Sequence, residues 1–377
     1  MPERFAFFSD AQKDLAAQLV AWHTAWPAAG VFAMVAEQDR DMVGALQHQC
    51  RAAGVPLVGA VFPQLVWSHT LHPRGILLRV LEVMPPWRLV EGLGEPGAMP
   101  DPALRTLVDL AGAGEEGDAL FTIFDSFVPS ISTAMENIYA QVGDRLNYFG
   151  AVAGSETFKP IPCLFDSERL IGGGVLALRL SQHPGAILEC GYTVPEQLIP
   201  STVVAGNRIT QISWRPAFEV YADMIKRHYG VTVTRENFYE WGVHFPFGII
   251  RADGEILVRI PVALHDDGSL LCVGEIPENA LITVVNAIKP GSTAAVQAIS
   301  AQLAGSAITD GLVYYCAGRR MHLGPEATSA EIRALTESVM PARIGGALTL
   351  GEIGMTRRSR FPLFYNATIV TIPQVCA

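Results

Sequence analysis

Nine histidines, six cysteines and one arginine-bearing stretch hold most of the chemistry that this sequence could perform. The arginines stand in Cys316-Ala-Gly-Arg319-Arg320-Met-His322, directly after the apolar run DGLVYYC. Two guanidinium groups in a loop at a strand end, with a glycine that lets backbone approach closely, suit an anionic ligand held by paired hydrogen bonds. The acid that matches them is Glu352, in Leu350-Gly-Glu-Ile-Gly354 at the end of the next strand. A structural Arg319–Glu352 pair joining two loops is an equally good expectation. Cys316 near His322 could also serve as a nucleophile, because a neighbouring base or cation activates a thiol. Its place at the end of a buried strand fits a structural cysteine better.

His244 is the histidine with the most distinctive surroundings, Trp241-Gly-Val-His-Phe-Pro-Phe-Gly248. An imidazole in an apolar, aromatic wall has the setting of an axial heme ligand. The same composition describes a plain core turn, and composition alone favours that. None of the nine histidines is spaced as a ligand pair on one helix face, and no His-Glu-x-x-His pair occurs. Ser155 lacks the following glycine of a nucleophile elbow. The triple glycine 172–174 precedes a strand rather than a helix, which argues against a phosphate loop.

The elements that would position these residues recur three times. GVFAMVA (30–36), a helix over 41–53, VPLVGAVFP (55–63) and GILLRVLEV (75–83) read as strand, helix, strand, loop and strand. The order returns with DALFTIFD (118–125), a helix over 130–142, LNYFGAVAGSE (146–156) and GGGVLALRL (172–180). It returns again with DGLVYYCAG (310–318), a helix over 328–340 begun by a capping-box-like Thr-Ser-Ala-Glu turn, ARIGGALTLGEIG (342–354) and LFYNATIVTI (363–372). The second strands align on small residues: Gly59-Ala60, Gly150-Ala151 and Gly346-Ala347. The expected fold is α/β, with mixed sheets built from repeated strand-helix-strand-strand units. An antiparallel meander follows in the C-terminal half, where Asp253-Gly254 and Asp267-Gly268 signal hairpins and a helix spans 215–228. A domain boundary is expected near Gln197 to Gly206, giving domains 1–200 and 201–377.

Composition narrows the function classes. A charge of −10 and a pI near 5.4 argue against a nucleic-acid protein, because phosphate binding needs clustered cations. With 17% charged and 50% hydrophobic residues, the chain is not disordered. No apolar run reaches the roughly 18 residues of a membrane span, and the N-terminus lacks a signal peptide's basic start, so a soluble cytoplasmic protein is expected. Cys50, Cys163, Cys190, Cys272, Cys316 and Cys376 are too scattered for a zinc site or disulfide framework. The apolar surplus implies buried strands or a buried oligomer surface, which leaves a homodimer open.

The C-terminal motifs resemble the FIST C domain: Cys316-Ala-Gly-Arg319, Ile344-Gly-Gly346, Gly351-Glu352-Ile-Gly354 and the closing Tyr365-Asn-Ala-Thr368, preceded by Arg215-Pro-Ala-Phe-Glu-Val-Tyr221 and His244-Phe-Pro-Phe-Gly248. Residues 1–195 are similar, more loosely, to the FIST N domain; Phe62-Pro-Gln-Leu stands where many members carry a turn like Gly-Glu-Ile. The resemblance implies a bacterial sensor of small ligands, not an enzyme, with a ligand site at His244, Cys316, Arg319, Arg320, Glu352 and Tyr365. One branch of stand-alone members consists of nitric-oxide-sensing hemoproteins that act through sensor histidine kinases or cyclic-di-GMP enzymes. In that version heme is the cofactor and His244 the iron ligand. An amino acid or other small anion is the alternative ligand. With no kinase, cyclase or DNA-binding segment in the sequence, output is expected to pass to a partner by contact.

Overall fold

An edge strand and a helix lead into a parallel strand-helix-strand crossover, and this sequence of elements builds each of three units. The computed structural model describes residues 2–9, 15–93, 102–157, 159–195, 199–286, 288–306, 308–340, 342–356 and 359–375. Gln197, in the expected boundary, and Cys376 lie outside them. The first unit runs β1 (Phe5–Phe8), α1 (Leu15–Ala25), β2 (Gly30–Ala36), α2 (Val43–Ala52), β3 (Leu57–Phe62), the hairpin β4 (Leu65–Trp67) and β5 (Thr70–His72), and β6 (Ile76–Leu81). The second repeats this as β7 (Trp87–Glu91), α3 (Pro102–Gly112), β8 (Ala119–Asp125), α4 (Ile131–Val142), β9 (Asn147–Ala153), the hairpin β10 (Leu164–Asp166) and β11 (Leu170–Ile171), and β12 (Gly174–Leu180).

The third unit opens with β13 (Ile187–Glu189) and is then interrupted by the meander. That insert comprises β14 (Ile199–Ala205), β15 (Arg208–Ile212), β16 (Arg215–Pro216), α5 (Ala217–Tyr229), α6 (Phe238–Trp241), β17 (Phe247–Ile250), β18 (Ile256–Arg259), β19 (Pro261–Leu264), β20 (Leu270–Cys272) and β21 (Leu281–Val284). The unit resumes with α7 (Ala294–Leu303), β22 (Ile308–Cys316), α8 (Ala317–Ser338), β23 (Arg343–Thr349), the hairpin β24 (Glu352–Gly354) and β25 (Leu363–Tyr365), and β26 (Ile369–Val375). The mixed α/β fold and the threefold repetition expected from the sequence are both present. β2, β8 and β22 pair in parallel with β3, β9 and β23, and antiparallel with β6, β12 and β26. Every residue of β2, β3 and β8 is buried, which is why these strands read as unbroken apolar runs.

The loop before each last strand holds a hairpin, and that hairpin pairs with a different unit. β10 of the second unit adds to β3 of the first, β24 of the third adds to β9 of the second, and β4 of the first adds to β23 of the third. The exchange is cyclic, so each of three six-stranded sheets is assembled from two units.

The repeated glycines sit where this pairing is tightest. Gly59, Gly150 and Gly346 register against Ala33, Thr122 and Val313 on one side and against Phe165, Ile353 and Val66 of the exchanged hairpins on the other. A Cβ on any of the three would overlap the carbonyl oxygen of its parallel partner. Gly346→Ala is therefore expected to cost about 1–3 kcal/mol, as overpacking does. Gly44→Ala, on the exposed side of α2 with open space around it, should instead gain up to about 1 kcal/mol from helix propensity. Equal denaturant midpoints for the two variants would remove close packing as the reason for the glycine repeat.

The stretch from Ala317 to Leu323, expected as a loop, is helical. α8 begins directly after Cys316 and kinks at Gly324 (φ 79°), with Pro325 following. The sequence Gly-Pro hides this start, because it reads as a terminator rather than a kink. Glu331, read as a capping residue, therefore lies well inside the helix.

Candidate functional site

Cys316 closes β22 at its carboxyl end, where ligands of α/β sheets gather. The corresponding residues of the other units are Ala36 and Asp125. Asp125 spends its carboxylate on the N–H groups of Phe127 (2.8 Å) and Gly173 (2.7 Å). In the third unit the strand end opens instead on a cavity of about 160 Å³ under the insert. Cys316, Gly318, Leu350 and Asn366 form its floor, Ile260, Val262 and Val273 of the insert its roof, and Glu156 of the second unit reaches its wall. A second cavity, of about 260 Å³, shares Val262, Val273 and Leu350 and continues toward Ser126 and Glu275.

Of the residues singled out in the sequence, Cys316 lines this cavity, and Cys316, Arg319 and Glu352 hold the turn that closes it. Residues 365–368 connect β25 to β26, and Ala367 adopts φ 59°, a conformation strained for a side chain with a Cβ. Three supports hold it. The Ala367 N–H donates to Cys316 Sγ (3.1 Å), Arg319 Nη1 donates to the Ala367 carbonyl (3.2 Å), and Thr368 donates to Glu352 through Oγ1 (2.5 Å) and N (3.4 Å). This places Asn366 on the cavity lining, 1% exposed, with no partner for its Oδ1 among the described residues. Its Nδ2 donates to the Tyr365 carbonyl (3.1 Å). Asn366 was not singled out in the sequence, although it stands inside the Tyr365–Thr368 motif.

Arg319 and Glu352 are both fully buried and act on the two sides of this turn, but they are not partners. Arg319 pairs with Glu331 across the kink of α8, Nη2 to Oε1 at 2.6 Å and Nε to Oε2 at 2.7 Å, and Nη1 also donates to the Cys190 carbonyl (2.6 Å). Burial opposes that charge, yet the hydrogen bonds and charge of Glu331 outweigh it and hold the guanidinium above its ordinary value. Glu352 accepts from Thr349 Oγ1 (2.6 Å) as well as Thr368. Burial pushes its carboxyl up to about 7 despite these donors. Burial, and next the Glu352 charge, raises the Cys316 thiol well above its usual range, so it stays protonated. Tyr365 is buried opposite Glu352 in the β24–β25 pair, beside Glu255 and Thr356. Arg320 is half-buried and pairs with Glu156 at the cavity wall.

His244 ends a short 3₁₀ turn, Gly242–His244, between α6 and β17. Its Nδ1 lies 2.9 Å from Nδ1 of His322, and the other nitrogen of His322 is 2.8 Å from the Ile288 carbonyl. Burial lowers both imidazoles' proton affinity, so both are neutral near pH 7. Heme, which the resemblance implies, does not fit these residues. Neither histidine lines either cavity, and 160 Å³ is well below the roughly 300–1,000 Å³ of pockets for drug-sized ligands. The larger groove near β13, about 700 Å³, has no histidine in its described wall, and its acids are already paired, Glu189 with Gln302 (2.7 Å) and Glu255 with Thr356 (2.9 Å).

The insert, the strand end and α8 thus form one continuous structural assembly around the Asn366 cavity. Residues 217–355 match the FIST C domain. The match runs from α5 of the insert through β24 of the third unit, and so covers both the roof and most of the floor of the cavity. FIST domains are sensory domains of signalling proteins. No curated protein matches the chain. Among the described residues, no helix is long and apolar enough to cross a membrane.

Proposed function

We propose that this chain is a sensory module that binds a compact ligand, amino-acid-sized or smaller, in the Asn366 cavity. The observation that carries this reading is Asn366, which lines that cavity and whose buried Oδ1 has no partner among the described residues. An unsatisfied buried acceptor costs about 1–3 kcal/mol, which a ligand N–H or O–H would recover. The mainly apolar wall suits a small hydrophobic body; an engineered apolar cavity of roughly 150 Å³ holds benzene. Glu156, on the wall and paired with Arg320, adds a polar edge to which a ligand N–H could donate. On this reading the chain is not an enzyme: a buried, protonated Cys316 makes a poor nucleophile and serves as a support for the turn.

We further propose that residues 1–200 form a FIST N-like partner to a FIST C-like region, 201–377, in a cytoplasmic sensor. Its output would pass by contact to a sensor histidine kinase or a cyclic-di-GMP enzyme. The test is thermal unfolding of the full chain with a panel of amino acids and their amides. A ligand at a hundredfold excess over Kd adds about 2.7 kcal/mol. That gain should appear in the wild type and vanish in Asn366→Leu. Stabilisation retained in the variant, or no stabilisation by any panel member, would overturn the reading. Added hemin should give no Soret band; one that depends on His244 would favour the heme and nitric-oxide version instead.

A further inference from the structure

We propose that His244 and His322 form a binding site for a divalent transition-metal ion that ties the insert to the third unit. The two residues come from parts of the chain 78 positions apart, one from the turn after α6 and one from the first segment of α8. Their Nδ1 atoms face each other at 2.9 Å. Two metal–imidazole bonds of about 2.0–2.1 Å, meeting at an angle between a right angle and a tetrahedral one, span about 2.9–3.4 Å. With the ring centres 5.1 Å apart the two Nδ1 atoms now point at each other, so the half-exposed His244 ring turns to let both lone pairs converge on one ion.

Tautomer chemistry supports the assignment. The Nε2–H of His322 donates to the Ile288 carbonyl at 2.8 Å, which leaves Nδ1 of that ring as a lone pair aimed at His244. A ligating histidine whose other nitrogen is held by a backbone carbonyl is the usual outer-shell arrangement at metal sites. When no ion is bound, His244 bridges the gap by donating its Nδ1 proton. To bind one, it carries that proton on Nε2 instead, a tautomer change that costs little in a half-exposed ring.

No third His, Cys, Asp or Glu joins the pair into a cluster among the described residues. The ion would therefore keep solvent in its remaining positions and exchange readily. Imidazole nitrogens select copper, nickel or zinc over magnesium or calcium. The neighbouring residues Val243 and Met321 line the Asn366 cavity, so a bound ion would hold a wall of that cavity in place. The metal site itself does not depend on the cavity being a ligand site.

The test uses the tag-free full chain titrated with Zn²⁺, Ni²⁺ and Cu²⁺ by calorimetry, with Mg²⁺ as comparison. One ion per chain should bind, and His244→Gln and His322→Gln should each weaken it by about tenfold or more, at least the loss expected from disturbing an outer-shell partner. His228→Gln, exposed at the end of α5, should leave it unchanged. Electron paramagnetic resonance of the Cu²⁺-loaded wild type should show two coordinated imidazole nitrogens, a readout that needs no variant to fold. Absence of tight binding, binding unaffected by both substitutions, or a copper spectrum without two imidazole nitrogens would overturn the site.

Discussion

Arg319→Met loses about 3–5 kcal/mol of unfolding free energy, the largest effect expected of a single substitution among the site residues. The guanidinium is fully buried, forked onto Glu331 and bonded to the carbonyls of Cys190 and Ala367. Removing it strands the Glu331 carboxylate in the core with, among the described residues, only the Tyr315 hydroxyl (2.6 Å) as partner. Breaking one side of a buried ion pair costs that much because the other charge remains desolvated. Lysine should not rescue the loss, since a point charge cannot reproduce the fork. Arg319→Met combined with Glu331→Met should recover much of it, because no unpaired charge is left behind. Denaturant midpoints for the singles and the double form the cycle; a double variant as unstable as Arg319→Met alone would show that the loss comes from packing and the two carbonyls. The turn at Ala367 also loses a support, so ligand binding at Asn366 should weaken with it.

The second large effect is a pH dependence set by Glu352. Its carboxyl titrates at about 7 in the folded chain against an ordinary value of 4.5. The folded protein therefore holds this proton more tightly than the unfolded chain does. The stability it contributes is fully present below about pH 4.5 and is lost as pH rises through about 7, a change of about 3 kcal/mol. Glu352→Gln imitates the protonated form and cannot ionise. The variant should match the wild type near pH 5 and exceed its stability by up to that amount at pH 8. Parallel stability profiles for the two proteins across this range would show that Glu352 is not the titrating group.

Much of this fold is legible in the sequence, and for physical reasons. Strands buried on both faces must be apolar throughout, and parallel strands that close tightly must carry glycine, so the Gly59, Gly150 and Gly346 repeat marks equivalent positions. The exchanged hairpins are not legible. β4, β10 and β24 are three residues each and gain their pairing from chain far away, which leaves no local period to read. The site was half visible. Cys316, Arg319 and Glu352, all singled out in the sequence, each bond to the turn at Ala367 and Thr368. The Arg319 partner was misassigned because Gly324-Pro325 looks like the end of a loop, whereas it is a kink that brings Glu331 back onto Arg319. His244 stands out by its aromatic neighbours, while its pairing with His322 is purely tertiary.

The cyclic exchange of hairpins has a consequence for how the chain is made. As the protein emerges from the ribosome, only the first of the three shared six-stranded sheets can be completed before the resumed third unit appears, because the other two need β22, β23 and β24. Two of these three shared sheets must wait, with open edges, until synthesis is nearly finished. The matched segment is not self-sufficient: a fragment cut at 217–355 would lack β26, the antiparallel partner of β22, and β4, the hairpin strand that closes β23. Such fragments should aggregate or remain unfolded, and the full chain should unfold in one step. A perturbation in any unit is then felt around the whole ring.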